Sequence, residues 1–180
     1  TGLAEDRYVS ALQIREVNHV PSKDAGGRAT VGGRYVIHHL IWGTDKGGGG
    51  GVNTPWPVHE VGRQADVFPP EAGRLLKAGE NIVSNSIHLH SNGRDTKAHL
   101  EFGFKFLPKG YEPSLKPSQS RALGNGVDIS IRPNEDNQQL HAYTVLQENT
   151  KVTSFEPHLH APGSRMCLEA IWGYTIQTLS

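Results

Sequence analysis

Three short segments of this chain concentrate histidine, a residue that can bind metal or titrate near neutral pH. They are "YVIHHLIWG", "SIHLHSNG" and "FEPHLHAPGSRM", which contain His38, His39, His88, His90, His158 and His160. The chain has ten histidines but a single methionine and a single cysteine. An H-x-H pair on a strand projects both imidazoles from one face, roughly 6 to 7 Å apart, so that both can reach one ion. The clusters therefore predict metal sites built on strands.

Each pair taken alone is more typical of an exposed polar face or of hydrogen-bonded core histidines, and only the coincidence of three clusters favours metal. His38 and His39 add a geometric problem, because consecutive strand residues face opposite ways. They can share an ion only if a β-bulge re-aims one of them. Their apolar neighbours Ile37, Leu40 and Ile41 also imply burial, and a buried imidazole needs a partner.

Strands must position these side chains, and the sequence is rich in strand patterns. "AHLEFGFKF" alternates Leu100, Phe102, Phe104 and Phe106 with polar residues, as expected when one sheet face packs on a core. Other short segments rich in β-branched or aromatic residues are "DRYVSALQIREV", "RYVIHHLIW", "VDISI", "HAYTVL", "KVTSFEPHLH" and "MCLEAIWGYTI". One turn of helix is predicted within residues 69–79. The pattern predicts an all-β protein made of antiparallel sandwiches.

A proline- and glycine-rich stretch divides the chain. The sequence predicts an N-terminal β-sandwich over residues 1–110, a linker over 111–126 and the start of a C-terminal β-sandwich over 127–180. The second part holds only three or four strand candidates, whereas a sandwich usually needs about seven. We therefore expect two tandem jelly-roll-like domains, the second incomplete.

Composition argues against several function classes. Eighteen basic residues balance eighteen acidic ones, and no basic cluster suggests nucleic acid. The apolar runs are far shorter than the roughly 20 residues of a membrane span. Cys167 has no partner for an internal disulfide, and the start at Thr1 suggests a processed or partial product. No nucleophile elbow, phosphate loop, H-E-x-x-H or C-x-x-C motif occurs.

The three histidine segments carry a family resemblance. "YVIHHLIWG" resembles the strand with two adjacent histidines in the copper type II, ascorbate-dependent monooxygenases, the family of peptidylglycine α-hydroxylating monooxygenase and dopamine β-monooxygenase. "SIHLHSNG" is similar to that family's next segment, and "FEPHLHAPGSRM" to its H-x-H segment as bacterial members write it. The motifs occur in the family's order, and "TGLAEDRYVSALQIREV" resembles the start of the bacterial members' first domain.

The resemblance implies two copper sites. It makes His38, His39 and His88 ligands of one copper, which handles electrons from an ascorbate-like reductant. It makes His158 and His160 ligands of a second copper, which activates dioxygen, with Met166 as the candidate thioether ligand. The position of His90 leaves three roles open: an outer partner of the first site, an alternative ligand or a surface residue. Imidazole suits zinc as well as copper.

Three functions follow as hypotheses. The leading one is a bacterial periplasmic or secreted copper monooxygenase that hydroxylates a small-molecule substrate. The second is a non-catalytic copper-binding or scaffolding subunit of a larger assembly, in which a partner chain completes the second domain, because the edges of a half-sandwich need cover. The third is a zinc-stabilised sandwich.

Overall fold

The protein is all-β, with antiparallel sheets. The computed structural model describes residues 1–20, 35–47, 51–124, 129–159 and 162–180, and none of these forms a helix. The strands are β1 (Arg7–Asn18), β2 (Ile37–Asp45), β3 (Thr54–Pro55), β4 (His59–Glu60), β5 (Ala65–Val67), β6 (Arg74–Leu76), β7 (Asn81–Leu89), β8 (Ala98–Phe106), β9 (Glu169–Trp172) and β10 (Thr175–Thr178). No described segment is a helix long and apolar enough to cross a membrane.

The chain divides into unit 1, Thr1–Ala122, and unit 2, Leu123–Ser180. The division falls inside the predicted linker of residues 111–126. Most of that stretch is bound to unit 1, since the backbone N–H of Leu115 donates to the Glu71 carbonyl at 3.0 Å. The buried guanidinium of Arg74 donates to the Ser118 carbonyl at 3.1 Å and lies over the ring of Trp56. Burial lowers the pKa of Arg74 to about 10.

Two sheets make up the body of unit 1. In the first, β8 runs along one edge of β1, while β5 and β6 pair with different parts of the other edge. In the second, β7 runs along one edge of β2, while β3 and β4 share the other. Each sheet is therefore organised around one long central strand.

The core of unit 1 contains side chains from both sheets, which gives the unit its sandwich character. The buried cluster comprises Val9, Leu12, Ile14, Leu40, Trp42, Trp56, Phe68 and Leu76. The Trp42 ring lies 5.5 Å from that of Trp56 and 4.9 Å from that of Phe102, between ring centroids. In β1 the register shifts between Val9 and Ala11, which explains why the buried positions change from odd to even numbers.

The strongest strand prediction is confirmed. Residues 98–106 form β8, and its four alternating apolar residues, Leu100, Phe102, Phe104 and Phe106, pack against the core. Within residues 69–79 the chain forms a hydrogen-bonded turn but no helix. The N–H of Gly73 donates to the Pro69 carbonyl at 2.7 Å, and Gly73 takes a φ of 57°, which closes a tight turn. Residues 74–76 then continue as β6.

Unit 2 contains one hairpin in its described part, formed by β9 and β10. Strands were also predicted at 127–131, 141–146 and 151–160; residues 127, 128 and 160 lie outside the described residues, and the others are not in strands. Their apolar side chains are exposed, as in Ile131, Tyr143 and Val145. The alternating pattern is present, but no sheet among the described residues of unit 2 buries it, so β-propensity alone did not produce strands there. The jelly-roll topology stays a prediction.

Candidate metal centre

Three of the predicted ligands come together on one sheet of unit 1. His38, His39 and His88 each offer a ring nitrogen, and the three nitrogens lie within 4.8 Å of one another. The ring centroids are 5.3 Å apart for His38 and His39, 5.1 Å for His38 and His88, and 4.9 Å for His39 and His88. The spacing brings the three imidazoles close enough to bind one ion together.

A β-bulge in β2 makes this arrangement possible. Ile37 pairs with Leu89 and His39 pairs with His88, so that His38 is the extra residue on its strand. Two residues of a bulged strand oppose one residue of the partner strand, and the local backbone bends. His38 is thereby re-aimed toward the face that carries His39 and His88, as the sequence requires if the two adjacent histidines share an ion.

Glu16 of β1 anchors the chain immediately before the bulge. Its carboxylate oxygens accept hydrogen bonds from the backbone N–H groups of Val36, at 3.1 Å, and Ile37, at 2.9 Å. The side chain of Asn18 donates a third hydrogen bond at 2.6 Å. Hydrogen bonds to an ionised acceptor are the stronger kind. Glu16 therefore fixes the position at which β2 starts and the bulge forms.

A second carboxylate lies in the same row of the sheet as the histidines. His39 of the central strand pairs with His88 on one side and with Glu60 of β4 on the other. Directly paired residues project from the same face, with Cβ atoms about 4.5–5.5 Å apart. The row therefore presents a carboxylate beside the imidazoles, where it would offset the positive charge of a bound cation.

The surroundings of His38 favour its neutral form. Burial lowers the pKa of His38 from 6.5, and the neighbouring His90, His39 and His88 lower it further, while Glu60 acts in the opposite direction. A neutral imidazole retains the lone pair that a metal requires. The environment therefore favours the ligating form at neutral pH.

The residues fit a bound transition metal. The Nδ1 atom of His38 is buried and forms no hydrogen bond within the described part of the chain. A buried polar atom without a partner costs free energy, which a metal ion or its bound water can relieve. An all-imidazole donor set suits copper and zinc. Among the described residues, this is also the one group of three or more histidine, cysteine or acidic side chains with such spacing.

His90 lies beside the three-histidine group without belonging to it. Its ring stacks on His38, with centroids 4.2 Å apart and planes inclined by 20°. The His88 ring is 5.4 Å away and nearly perpendicular to it. His90 therefore contacts the histidine cluster and is not an isolated surface residue.

The predicted second site is described only in part. His160 lies outside the described residues, His158 is exposed, and the side chain of Met166 is 42% exposed. The second copper site therefore stays a prediction from the resemblance.

His59 lies apart from the cluster, on the short strand β4. It is 5% exposed, and burial lowers its pKa from 6.5, although Arg63, Glu16, Glu60 and Asp66 act to raise it. It lines a small cavity together with Glu16, Tyr35, Ile37, Val61, Gly62 and Gln64. The group of close ring nitrogens does not include His59.

Sequence reasoning missed both carboxylates. Glu16 continues the alternation of the buried residues Leu12 and Ile14, so it lies on the core-facing side of β1. A carboxylate at such a position was the signal that the sequence offered. Such a side chain needs hydrogen-bond donors, which the start of β2 supplies. Glu60 was harder to find from the sequence, because it pairs with His39 through β4, a strand of only two residues that has no recognisable pattern.

Comparisons with protein-family models, with curated proteins and with solved structures gave no match for this chain. The copper monooxygenase resemblance therefore depends on the histidine segments themselves.

Proposed function

We propose that this chain is a copper-dependent monooxygenase-like protein that uses an external, ascorbate-like reductant to hydroxylate a small substrate. The observation that carries the proposal is the bulge in β2, which brings His38 and His39 together with His88 within 4.8 Å. The order of the three histidine segments supports it, as does their resemblance to the family. A periplasmic or secreted bacterial location is part of the same proposal.

The residues of unit 1 have distinct tasks in this function. His38, His39 and His88 supply neutral nitrogen ligands, and copper, when bound, supplies one-electron redox chemistry. Glu16 holds the start of β2, and the buried Trp42 gives the strand a rigid base. The exposed ring of His88 leaves one side of the site open to solvent, where a small reductant can approach.

Copper stoichiometry tests the proposal. The wild-type chain is loaded with Cu²⁺, dialysed and analysed for metal, beside the double variant His38→Ala/His39→Ala. The exposed His19, which lies outside the cluster, provides the control variant His19→Ala. We expect at least one copper per chain in the wild type and in the control, and the loss of one copper in the double variant. Less than one copper in the wild type, with no loss in the double variant, would contradict the proposal.

A second candidate is a non-catalytic copper-binding subunit of a larger assembly. It is favoured by unit 2, in which no described residue is buried and large side chains such as Trp172 and Tyr174 are exposed. Exposed apolar side chains in such number are typical of surfaces that another protein covers.

Oxygen consumption separates the two candidates. The copper-loaded chain is mixed with ascorbate, and oxygen uptake is compared with that of His38→Ala/His39→Ala. A monooxygenase-like protein gives copper-dependent uptake that the double variant loses. A binding subunit retains one copper per chain but shows no uptake above that of free Cu²⁺ at equal concentration.

A further inference from the structure

The orientation of the His38 ring is not fixed by a hydrogen bond at Nδ1, so another interaction must fix it. In the absence of a metal, a buried imidazole ring is held in place by hydrogen bonds or by packing. The Nδ1 atom of His38 is buried and forms no hydrogen bond with any described residue. What holds this ring must therefore be packing.

His90 is placed to provide that packing. The N–H of His90 donates to the Val36 carbonyl at 2.7 Å, which extends the pairing of β2 and β7 beyond the bulge and fixes the His90 backbone. Its ring lies 4.2 Å from that of His38, closer than any other imidazole of the cluster. The half-buried His90 thus forms a flat surface against one face of the His38 ring.

The same geometry argues against His90 as a ligand beside His38. A ring nitrogen binds a metal in the plane of its ring, at about 2.0–2.1 Å. The planes of His38 and His90 differ by only 20°, so at this separation they do not converge on a common ion within that distance. The planes of His38 and His88, by contrast, differ by 87°. The compact group of three nitrogens accordingly omits His90.

We propose that His90 is a positioning residue, which holds the His38 ring by stacking and does not itself bind the metal. This inference rests on the proposed metal site at His38, His39 and His88. It chooses among the three roles that the sequence left open for His90. It also explains why the group of close ring nitrogens contains three histidines although four rings lie together.

Two substitutions of His90 separate stacking from ligation. His90→Phe keeps an aromatic ring but has no ligating atom, whereas His90→Ala removes both. Each variant is titrated with Cu²⁺ alone, and its electron paramagnetic resonance spectrum is recorded at one equivalent. His99→Ala, on the exposed face of β8, serves as the matched control. Circular dichroism of the metal-free proteins checks that each variant folds.

We expect His90→Phe to bind Cu²⁺ with an affinity within about threefold of the wild type and with the same nitrogen hyperfine pattern. His90→Ala should bind roughly 10- to 100-fold more weakly, as is usual when the support of a metal ligand is removed. If His90→Phe loses as much affinity as His90→Ala, or loses a coupled nitrogen, His90 is a ligand and the inference is wrong. An unchanged His90→Ala also overturns it.

His38→Ala distinguishes this failure from failure of the proposed function. If His38→Ala binds Cu²⁺ like the wild type, the metal site itself is wrong. If His38→Ala loses Cu²⁺ binding while His90→Ala keeps it, the site stands and only the stacking role fails.

Discussion

The two units of this chain carry similar histidine motifs in very different surroundings. In unit 1 the motifs lie on long paired strands above a core that includes Trp42 and Trp56, each at most 2% exposed. In unit 2 no described residue is buried, and His158 lies in a segment without strand pairing. A sheet and its core thus bring the histidine side chains of unit 1 together, whereas the described histidine of unit 2 has no such support.

The largest expected difference concerns the core. Trp42→Ala in unit 1 should lower the free energy of unfolding by about 3–5 kcal/mol, because it empties a large buried volume. Trp172→Ala in unit 2 should change it by about 0.5 kcal/mol or less, since that ring is 53% exposed. Urea unfolding followed by circular dichroism measures both. Equal effects would show that unit 2 has a core of its own.

The next comparison concerns the two histidine sites. His38→Ala should weaken the tightest Cu²⁺ binding more than 100-fold, beyond the roughly 10- to 100-fold that removing an outer partner costs. His158→Ala should leave that binding step unchanged, because His158 is not a member of the three-histidine group. Calorimetric titration with Cu²⁺ distinguishes them. A larger loss of Cu²⁺ affinity in His158→Ala would show that the tightest site lies in unit 2.

A smaller effect is expected at the anchor of β2. Glu16→Ala leaves the N–H groups of Val36 and Ile37 without their acceptor and should cost about 1–3 kcal/mol of stability. Cu²⁺ affinity should fall as well, because the bulge at His38 loses its fixed start. Glu16→Gln retains one acceptor oxygen and should lose less on both measures. Full Cu²⁺ affinity in a folded Glu16→Ala protein would show that the bulge forms without this anchor.

The smallest effect concerns pH. The folded-state pKa of His59 lies below 6.5, so the unfolded chain takes up the proton first as the pH falls. Stability is therefore fully present above about pH 6.5 and declines below it, by at most about 1.4 kcal/mol per pH unit for this one group. Urea unfolding of the metal-free protein at pH 7.5 and 5.5 measures the decline. His59→Gln should reduce it, whereas His19→Gln, at an exposed site, should not; equal slopes in both variants would contradict the account.

Much of unit 1 could be predicted because its strands alternate cleanly. β8 follows from its four apolar residues, and strand geometry lets His38 and His39 share an ion only through a bulge. The addition of His88 to this pair comes from the family resemblance. The bulge itself could not be derived, because it depends on the register between β2 and β7, 36 or more residues apart in the chain. The Glu16 anchor could not be derived either, since it joins β1 to backbone groups of β2.

Unit 2 shows the limit of the same reasoning. Segments such as 141–146 have a strand composition, yet the structure leaves them unpaired and exposed. Strand patterns predict a sheet only if partner strands are available to bury them. Local sequence says nothing about that condition.

Pulsed electron paramagnetic resonance of the chain with one equivalent of Cu²⁺ tests the three-histidine metal centre, because it counts the imidazole nitrogens that are coupled to the metal. We expect three coupled imidazoles in the wild type and in His158→Ala, and fewer in each of His38→Ala, His39→Ala and His88→Ala. A spectrum that keeps its imidazole couplings in all three of these variants would contradict the assignment of the metal centre to the bulged strand of unit 1.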